Sequence, residues 1–130
     1  MRLLLDTNAL LWVALDPSKL SERAVEAYRE AESVYHSIVS YWEIGLKMAR
    51  GGFMDLSLPR DWERSLSQGY EEQGVSLLAI DFKHCRRIQD LPFHHKDPFD
   101  RMLTAQALEE HLAVISPDHA LDAYGVKRIW

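Results

Sequence analysis

Leu3-Leu4-Leu5-Asp6 constrains this chain more than any other stretch. An unbroken apolar triplet that ends on an acid, and runs at once into a further apolar pattern, places a carboxylate at the exit of a buried strand. Burying a charge is expensive unless something pairs with it or binds it. The opening residues therefore ask what the rest of the chain brings to Asp6.

The segments that follow alternate between helical and strand periods. Thr7 to Leu15 carries Ala9, Leu10, Trp12, Val13 and Ala14 and reads as a short buried helix, stopped by Asp16-Pro17-Ser18. Leu20-Ser21 supplies a staple and an N-cap for an amphipathic helix with Ala24, Val25, Tyr28 and Ala31 on one face. Ser33 to Ile38 predicts a second strand. From Val39 the period changes, and Val39, Trp42, Leu46 and Ala49 mark a helix that Gly51-Gly52 ends. Phe53 to Leu58 predicts an irregular segment, and Pro59 the start of a helix buried through Trp62, Leu66 and Tyr70 and closed by Gly74. Val75 to Ile80 predicts a strand and Asp81 to Ile88 a short helix. Asp97-Pro98 then opens a helix reaching His111, apolar on more than one face and so central. Leu112 to Ile115 and Val126 to Ile129 are the last strands, with a brief helical stretch through Tyr124 between them. This order predicts an α/β sandwich with a mainly parallel sheet.

At 130 residues the chain is expected to form one domain, residues 1–130, with a real core but no room for an independent second module. No apolar run approaches the ~20 residues of a membrane span, and the N-terminus lacks a signal-peptide pattern, so no membrane association is expected and the cytoplasm is the default compartment. The net charge of -5 argues against broad phosphate-driven binding of nucleic acid, and it suits a site crowded with carboxylates that a cation neutralises. Cys85 is the sole cysteine, cannot form an internal disulfide, and is expected to be a structural thiol.

Two strands share one feature. Leu3-Leu4-Leu5 ends at Asp6 and Ala113-Val114-Ile115 ends just before Asp118, and in open parallel sheets the ligand crevice lies at the carboxyl ends of the strands. Glu43 and Asp100 are the other carboxylates set beside apolar residues near helix beginnings. Four such groups brought together repel by several kcal/mol per close pair in a partly desolvated site, a conflict that a hard divalent cation resolves. Oxygen donors favour Mg²⁺ or Mn²⁺ over zinc. Such an ion can activate water and neutralise a scissile phosphate, which points to phosphodiester hydrolysis.

These residues resemble the motifs of PIN-domain proteins, and within them the VapC-type toxins of bacterial toxin-antitoxin pairs. Leu5-Asp6-Thr7-Asn8-Ala9-Leu10-Leu11 is similar to the family's opening strand and first acid, and Ser40-Tyr41-Trp42-Glu43-Ile44 to its second acidic motif. Asp97-Pro98-Phe99-Asp100-Arg101-Met102-Leu103 with Ala105-Gln106-Ala107 resembles the third, and Ser116-Pro117-Asp118 falls where the fourth does. The resemblance implies a PIN-like three-layer sandwich with about five strands, flanked by helices. It further implies a Mg²⁺- or Mn²⁺-dependent endoribonuclease acting on RNA, a homodimer, and inhibition by a small cognate antitoxin. Asp6, Glu43, Asp100 and Asp118 would be its catalytic and metal-binding residues. The fourth motif lacks the family's usual basic residue, and Asp122 is a second candidate for its acid.

Other residues carry a bland role beside a functional one. Asp97 is well explained as a helix N-cap followed by Pro98, and Asp118 as a turn residue after Pro117. Glu43 could simply pair with Lys47, four residues on. Thr7, Asn8 and Ser116 either hydrogen-bond ligating carboxylates or cap helices. Arg101 either positions phosphate or pairs with Asp97. His94 and His95, in a polar loop, are expected to contact RNA or antitoxin, if anything, rather than metal. Trp12, Trp42, Trp62 and Tyr28 sit at helical core spacings and are expected to pack. A haloacid-dehalogenase-like phosphatase would need a second aspartate where this chain has Asn8. The alternative from another class is a PIN-like module that binds RNA or assembles without turnover.

Overall fold

A computed structural model describes the chain from Met1 to Trp130. Strands β1 (Arg2–Leu5), β2 (Ser33–Ser37), β3 (Ser76–Leu78), β4 (Ala113–Ile115) and β5 (Arg128–Ile129) form one sheet in the order β3-β2-β1-β4-β5, and every pairing is parallel. The connections carry helices α1 (Thr7–Leu15), α2 (Glu22–Glu30), α3 (Ile38–Ala49), α4 (Trp62–Glu72), α5 (Phe82–Asp90) and α6 (Pro98–Glu110), with 3-10 turns at Pro17–Lys19 and His119–Tyr124. The α/β architecture expected from the alternation of periods is the one that forms.

β1 is the middle strand, with Leu3 opposite Val34 on one side and Ala113 on the other. Its leucines are wholly buried because helices cover both faces. Leu3 and Leu5 point into a cluster with Leu10 of α1, Ala24 of α2 and Leu66 and Tyr70 of α4, whereas Leu4 meets Leu103 and Ala107 of α6 on the opposite face. The sheet is thus the middle layer of three. The Tyr70 hydroxyl, buried in the first layer, donates to the Leu10 carbonyl and so ties α4 to α1. Chain order reverses about β1, since β2 lies on one side and β4 on the other. A crevice therefore opens at the carboxyl ends of β1 and β4.

Polar residues at the strand ends fix how α3 and α6 seat. Ser37, the last residue of β2, caps α3 by accepting from the Val39 amide, and its hydroxyl donates to Gln106 of α6. Gln106 is fully buried and donates in turn to the Ala79 carbonyl beyond β3. No helix is long and apolar enough to cross a membrane.

Three sequence expectations are corrected. Trp42 is 59% exposed, and Leu46 and Ala49 also face outward, because α3 buries Val39, Ser40, Glu43 and Ile44 instead. The helix is rotated so that Ser40 reaches α1, where it accepts from the Thr7 hydroxyl at 3.0 Å. Cys85 is exposed, because α5 buries only His84, whose ring is held by Glu110. Pro59 precedes α4 by a turn, with the Trp62 amide bonded to its carbonyl at 3.1 Å. Tyr28 and Trp62 are partly buried against the core, and Trp12, itself half-buried, packs on Trp130, which borders the same core, so packing describes these three.

Gln106→Leu should destabilise the protein by about 1–3 kcal/mol in urea unfolding although it replaces a buried amide with an apolar group, because it leaves the buried Ser37 O–H without its acceptor and takes the Gln106 donor from the Ala79 carbonyl. Unchanged or increased stability would show that the amide carries no such role.

Candidate active site

Asp6 follows directly on β1, and its amide donates to the Ile115 carbonyl of β4 at 3.1 Å. Its Oδ1 accepts from the Ala9 amide at 2.7 Å, so the carboxylate caps α1 at the sheet edge. The group is 5% exposed. Burial pushes its pKa up to about 6; the Ser116 hydroxyl and the Ala9 amide work against this, while Glu43 and Asp118 add repulsion. Ser116 also accepts from the Asp118 amide at 3.0 Å, and one hydroxyl thereby serves both acids. The Asn8 side chain is exposed.

Glu43 comes to the same place from the second turn of α3. One oxygen lies 3.3 Å from Lys47 Nζ, which is the plain i,i+4 pair. The other, Oε1, is buried and has no hydrogen-bond partner at all. A buried carboxylate oxygen left bare is costly, and it marks a position that a cation would satisfy.

Asp100 lies in the first turn of α6, which Asp97 caps by accepting from the amides of Phe99 and Asp100 at 2.8 and 3.1 Å. Burial raises the Asp100 carboxyl to about 7, with further repulsion from Asp97, Glu43 and Asp6, against an opposing contribution from His95. Asp118 follows β4 and caps the turn His119–Tyr124 through the Ala120 amide at 2.9 Å. Burial works against it, yet the Ala120 amide, His95 and Arg128 hold its carboxyl below the ordinary value. Asp122 is engaged elsewhere: Arg128 grips both its oxygens, at 2.9 and 3.2 Å, at the surface. Of the two candidates for the fourth acid, the fold brings Asp118 to the cluster.

The residue that sequence reasoning set aside is His95. Its Nε2 lies 2.8 Å from Asp118 Oδ2, to which it is hydrogen-bonded, and 3.0 Å from Asp100 Oδ2. Partial burial opposes a second proton on the ring, but Asp118, Asp100 and Asp97 together outweigh that and raise its pKa. On its far side the ring meets the Asp97 amide, which donates to Nδ1 at 3.2 Å. The clue available in the sequence is spacing: His95 stands two residues before an Asp-Pro cap, close enough for its ring to take the Asp97 amide at the helix start. His94 packs edge-on against Tyr124 instead.

Arg101 neither meets Asp97 nor faces the crevice rim. It is buried, and its guanidinium donates to the carbonyls of Pro92, Leu91 and Ile88 and to the Tyr124 hydroxyl, with Phe93 stacked at 4.2 Å. The same Tyr124 hydroxyl accepts from the His95 amide at 2.8 Å. Arg101 thus clamps the loop that carries His95.

Four acids converge from separate segments onto one edge of a parallel sheet, at the point where strand order reverses. The PIN domain family model matches residues 3–127, and the chain belongs to this family. Solved structures share the fold at low identity. VapBC2 from Rickettsia felis, bound to a promoter DNA fragment, aligns with a TM-score of 0.70 at 10% identity over 98% of this chain and 97% of that one. DNA-bound VapBC from Salmonella typhimurium aligns at 0.67 and 15%, over 98% and 96%. FitAcB from Neisseria gonorrhoeae aligns at 0.60 and 20%, over 97% and 95%. No curated protein matches the chain.

The raised carboxyls make a measurable demand on the ion-free protein. A group whose pKa is higher folded than unfolded stabilises fully below the unfolded value, here 3.8, and loses that contribution as pH rises through the folded one, about 6 for Asp6. In EDTA, Asp6→Asn should therefore gain about 1–3 kcal/mol on the parent between pH 4 and pH 8, measured by urea unfolding at each pH. A variant that loses ground over that interval would show Asp6 to be stabilised, rather than strained, as a carboxylate.

Proposed function

We propose that the chain is a divalent-metal-dependent endoribonuclease of the VapC type, acting in the cytoplasm as a homodimer and held inactive by a small cognate antitoxin. The single observation that carries the nuclease chemistry is the bare, buried Oε1 of Glu43 beside two carboxyls whose pKa values are raised by burial and mutual repulsion. The protein's own donors leave that negative charge uncompensated. A hard cation such as Mg²⁺ or Mn²⁺ fits the donor set of Asp6, Glu43, Asp100 and Asp118. Bound there, it would supply Lewis-acid charge on a scissile phosphate and lower the pKa of an attacking water.

The residues of the chain do the rest by position. Asp6 is pinned by the Ala9 amide and Asp118 by the Ala120 amide, so neither needs to move when a ligand arrives. Thr7 and Ser40 hold α1 against α3 and so set Glu43 relative to Asp6. The toxin assignment draws on the structural relatives, whose solved forms are VapBC and FitAB assemblies, some of them bound to DNA. It also draws on an apolar stripe that α3 leaves outside: Ile38, Trp42 and Leu46, one turn apart, are all exposed. A stripe at that spacing suits a partner chain laid along the helix.

A mixed pool of tRNA, rRNA and mRNA incubated with the purified protein in Mg²⁺, Mn²⁺ or EDTA provides the test. Cleavage should require the cation and leave a 5′-phosphate and a 3′-hydroxyl, mapped by sequencing the ends. Asp6→Asn and Asp100→Asn should each lower the rate by more than the roughly 10- to 100-fold typical of losing an outer partner of a metal site. Cleavage that persists in EDTA, or in both variants, would remove these acids from the chemistry. Tight divalent-ion binding with no cleavage of any RNA would favour the binding module without turnover.

A further inference from the structure

A tryptophan left 59% exposed on a helix that buries its neighbours forgoes much of what an indole gains from packing. Trp42 is nevertheless not loose. Its ring meets Phe99 edge to face, with centroids 4.9 Å apart and planes at 84°. Phe99 is anchored in turn: it packs against the cluster that holds Leu103 and Ala107, and its amide donates to Asp97 at 2.8 Å. The indole is thus braced on one side while more than half of the residue stays open to solvent.

This aromatic pair stands beside the acids. Trp42 immediately precedes Glu43 on α3 and Phe99 immediately precedes Asp100 on α6, and successive Cα atoms are about 3.8 Å apart. Glu43 turns inward with its bare Oε1 while Trp42 turns outward, which puts the indole on the rim of the crevice rather than inside it. The rim also carries positive charge in a chain of net charge -5. Lys47 Nζ lies 3.3 Å from Glu43 with its side chain 43% exposed, and Lys96 is exposed one residue ahead of the Asp97 cap. A rigid aromatic face flanked by lysines suits a single strand of nucleic acid, because every base offers a π-face and the backbone offers negative charge. Ile38 and Leu46, the other exposed members of the α3 stripe, are aliphatic, and neither is followed by an acid of the cluster.

Within the RNA-hydrolysing site proposed above, on which this role rests, we propose that Trp42, braced by Phe99, is the stacking platform for a base beside the scissile phosphate. The substrate is then RNA unpaired at that nucleotide, in a loop, a bulge or a free end, and not a duplex. A base inside a duplex is stacked on both faces and has none to offer the indole. A partner chain laid along Ile38, Trp42 and Leu46 would cover the same ring, so substrate and partner exclude each other there.

Fluorescence anisotropy with labelled RNA hairpins of mixed loop sequence, and with a fully paired duplex of the same stem, tests this in full-length chains carrying Asp6→Asn to stop turnover. Adding Trp42→Ala should weaken binding of the looped RNA roughly 5- to 150-fold. Trp42→Phe should weaken it only a few-fold, and Leu46→Ala, on the same stripe, not at all. Binding of the duplex should not change, nor should the Mn²⁺ affinity of Trp42→Ala measured by calorimetry with Asp6 intact. Looped-RNA binding that is unchanged in Trp42→Ala would overturn the proposal and leave the ring to a protein partner. An equal loss in Leu46→Ala, an equal loss on the duplex, or a Trp42→Ala that loses Mn²⁺ affinity as well would each overturn it too. If the Asp6→Asn chain with Trp42 intact binds neither RNA, the assignment of RNA to this site falls and the stacking role with it, an outcome distinct from a Trp42→Ala that binds normally.

Discussion

Like charges held at the exit of the central strand are the constraint on which this molecule depends. Asp6 leaves the sheet from its middle, beside a strand buried on both faces, and no solvent is at hand to dissipate its charge. The surroundings offset part of the cost. Asp6 and Asp118 each cap a helical segment, and Asp100 sits in the first turn of another, so three of the acids face the positive ends of backbone dipoles. Lys47 covers one oxygen of Glu43 and His95 covers part of the Asp100–Asp118 pair. What remains uncompensated is concentrated on a single oxygen rather than spread over the cluster, and that concentration turns a structural burden into a site for a cation.

The parallel sheet is what allows this convergence. Strands that all run one way deliver their carboxyl ends to one edge, and residues as far apart in sequence as Asp6 and Asp118 become neighbours there. The hydrogen bond from the Asp6 amide to the Ile115 carbonyl carries the β1–β4 ladder to the last residue before the crevice, fixing the first acid relative to the strand that presents the fourth. Glu43 and Asp100 then arrive on helices that touch at the rim, where Trp42 and Phe99 pack edge to face at 4.9 Å, each next in sequence to an acid.

How legible this was in the sequence follows from the range of the forces involved. Strand and helix placement rests on local periodicity, and the runs from Leu3 to Leu15, at Ser33 to Ala49 and from Pro98 to Ile115 could be read almost to the residue. Asp6, Glu43 and Asp100 could be singled out because each is a charge set against apolar sequence, and Asp118 because it follows a short apolar strand, features visible without coordinates. The failures concern which way a helix faces. In α3 the apolar period names Trp42 and Leu46 as buried, but adjacent faces of one helix differ by a small rotation. The helix instead turns Ser40 to the Thr7 hydroxyl and Val39 and Ile44 into the core, and the same rotation carries Glu43 to the acids and leaves the tryptophan outside. His95 was invisible for a related reason: its role is defined by acids five and 23 residues on, brought to it by a cap and a strand.

Arg101 shows how the site keeps its appetite for a cation. An arginine one residue past Asp100 and four past Asp97 would be expected to swing onto either carboxylate, and had it done so the cluster would hold its own counter-ion. Instead the guanidinium turns the other way, and its rigid fork of donors is taken up by the carbonyls of Ile88, Leu91 and Pro92 and by Tyr124, with Phe93 over its face. Neutral acceptors thus satisfy a permanent positive charge without consuming an acid. The same contacts fix the loop that places His95. A lysine, with a single compact ammonium, could not reach so many carbonyls at once, and the group best able to quench the acids would no longer be held away from them. The uncompensated charge on Glu43 and the ordered histidine are therefore two results of one buried arginine pointing away from the carboxylates beside it.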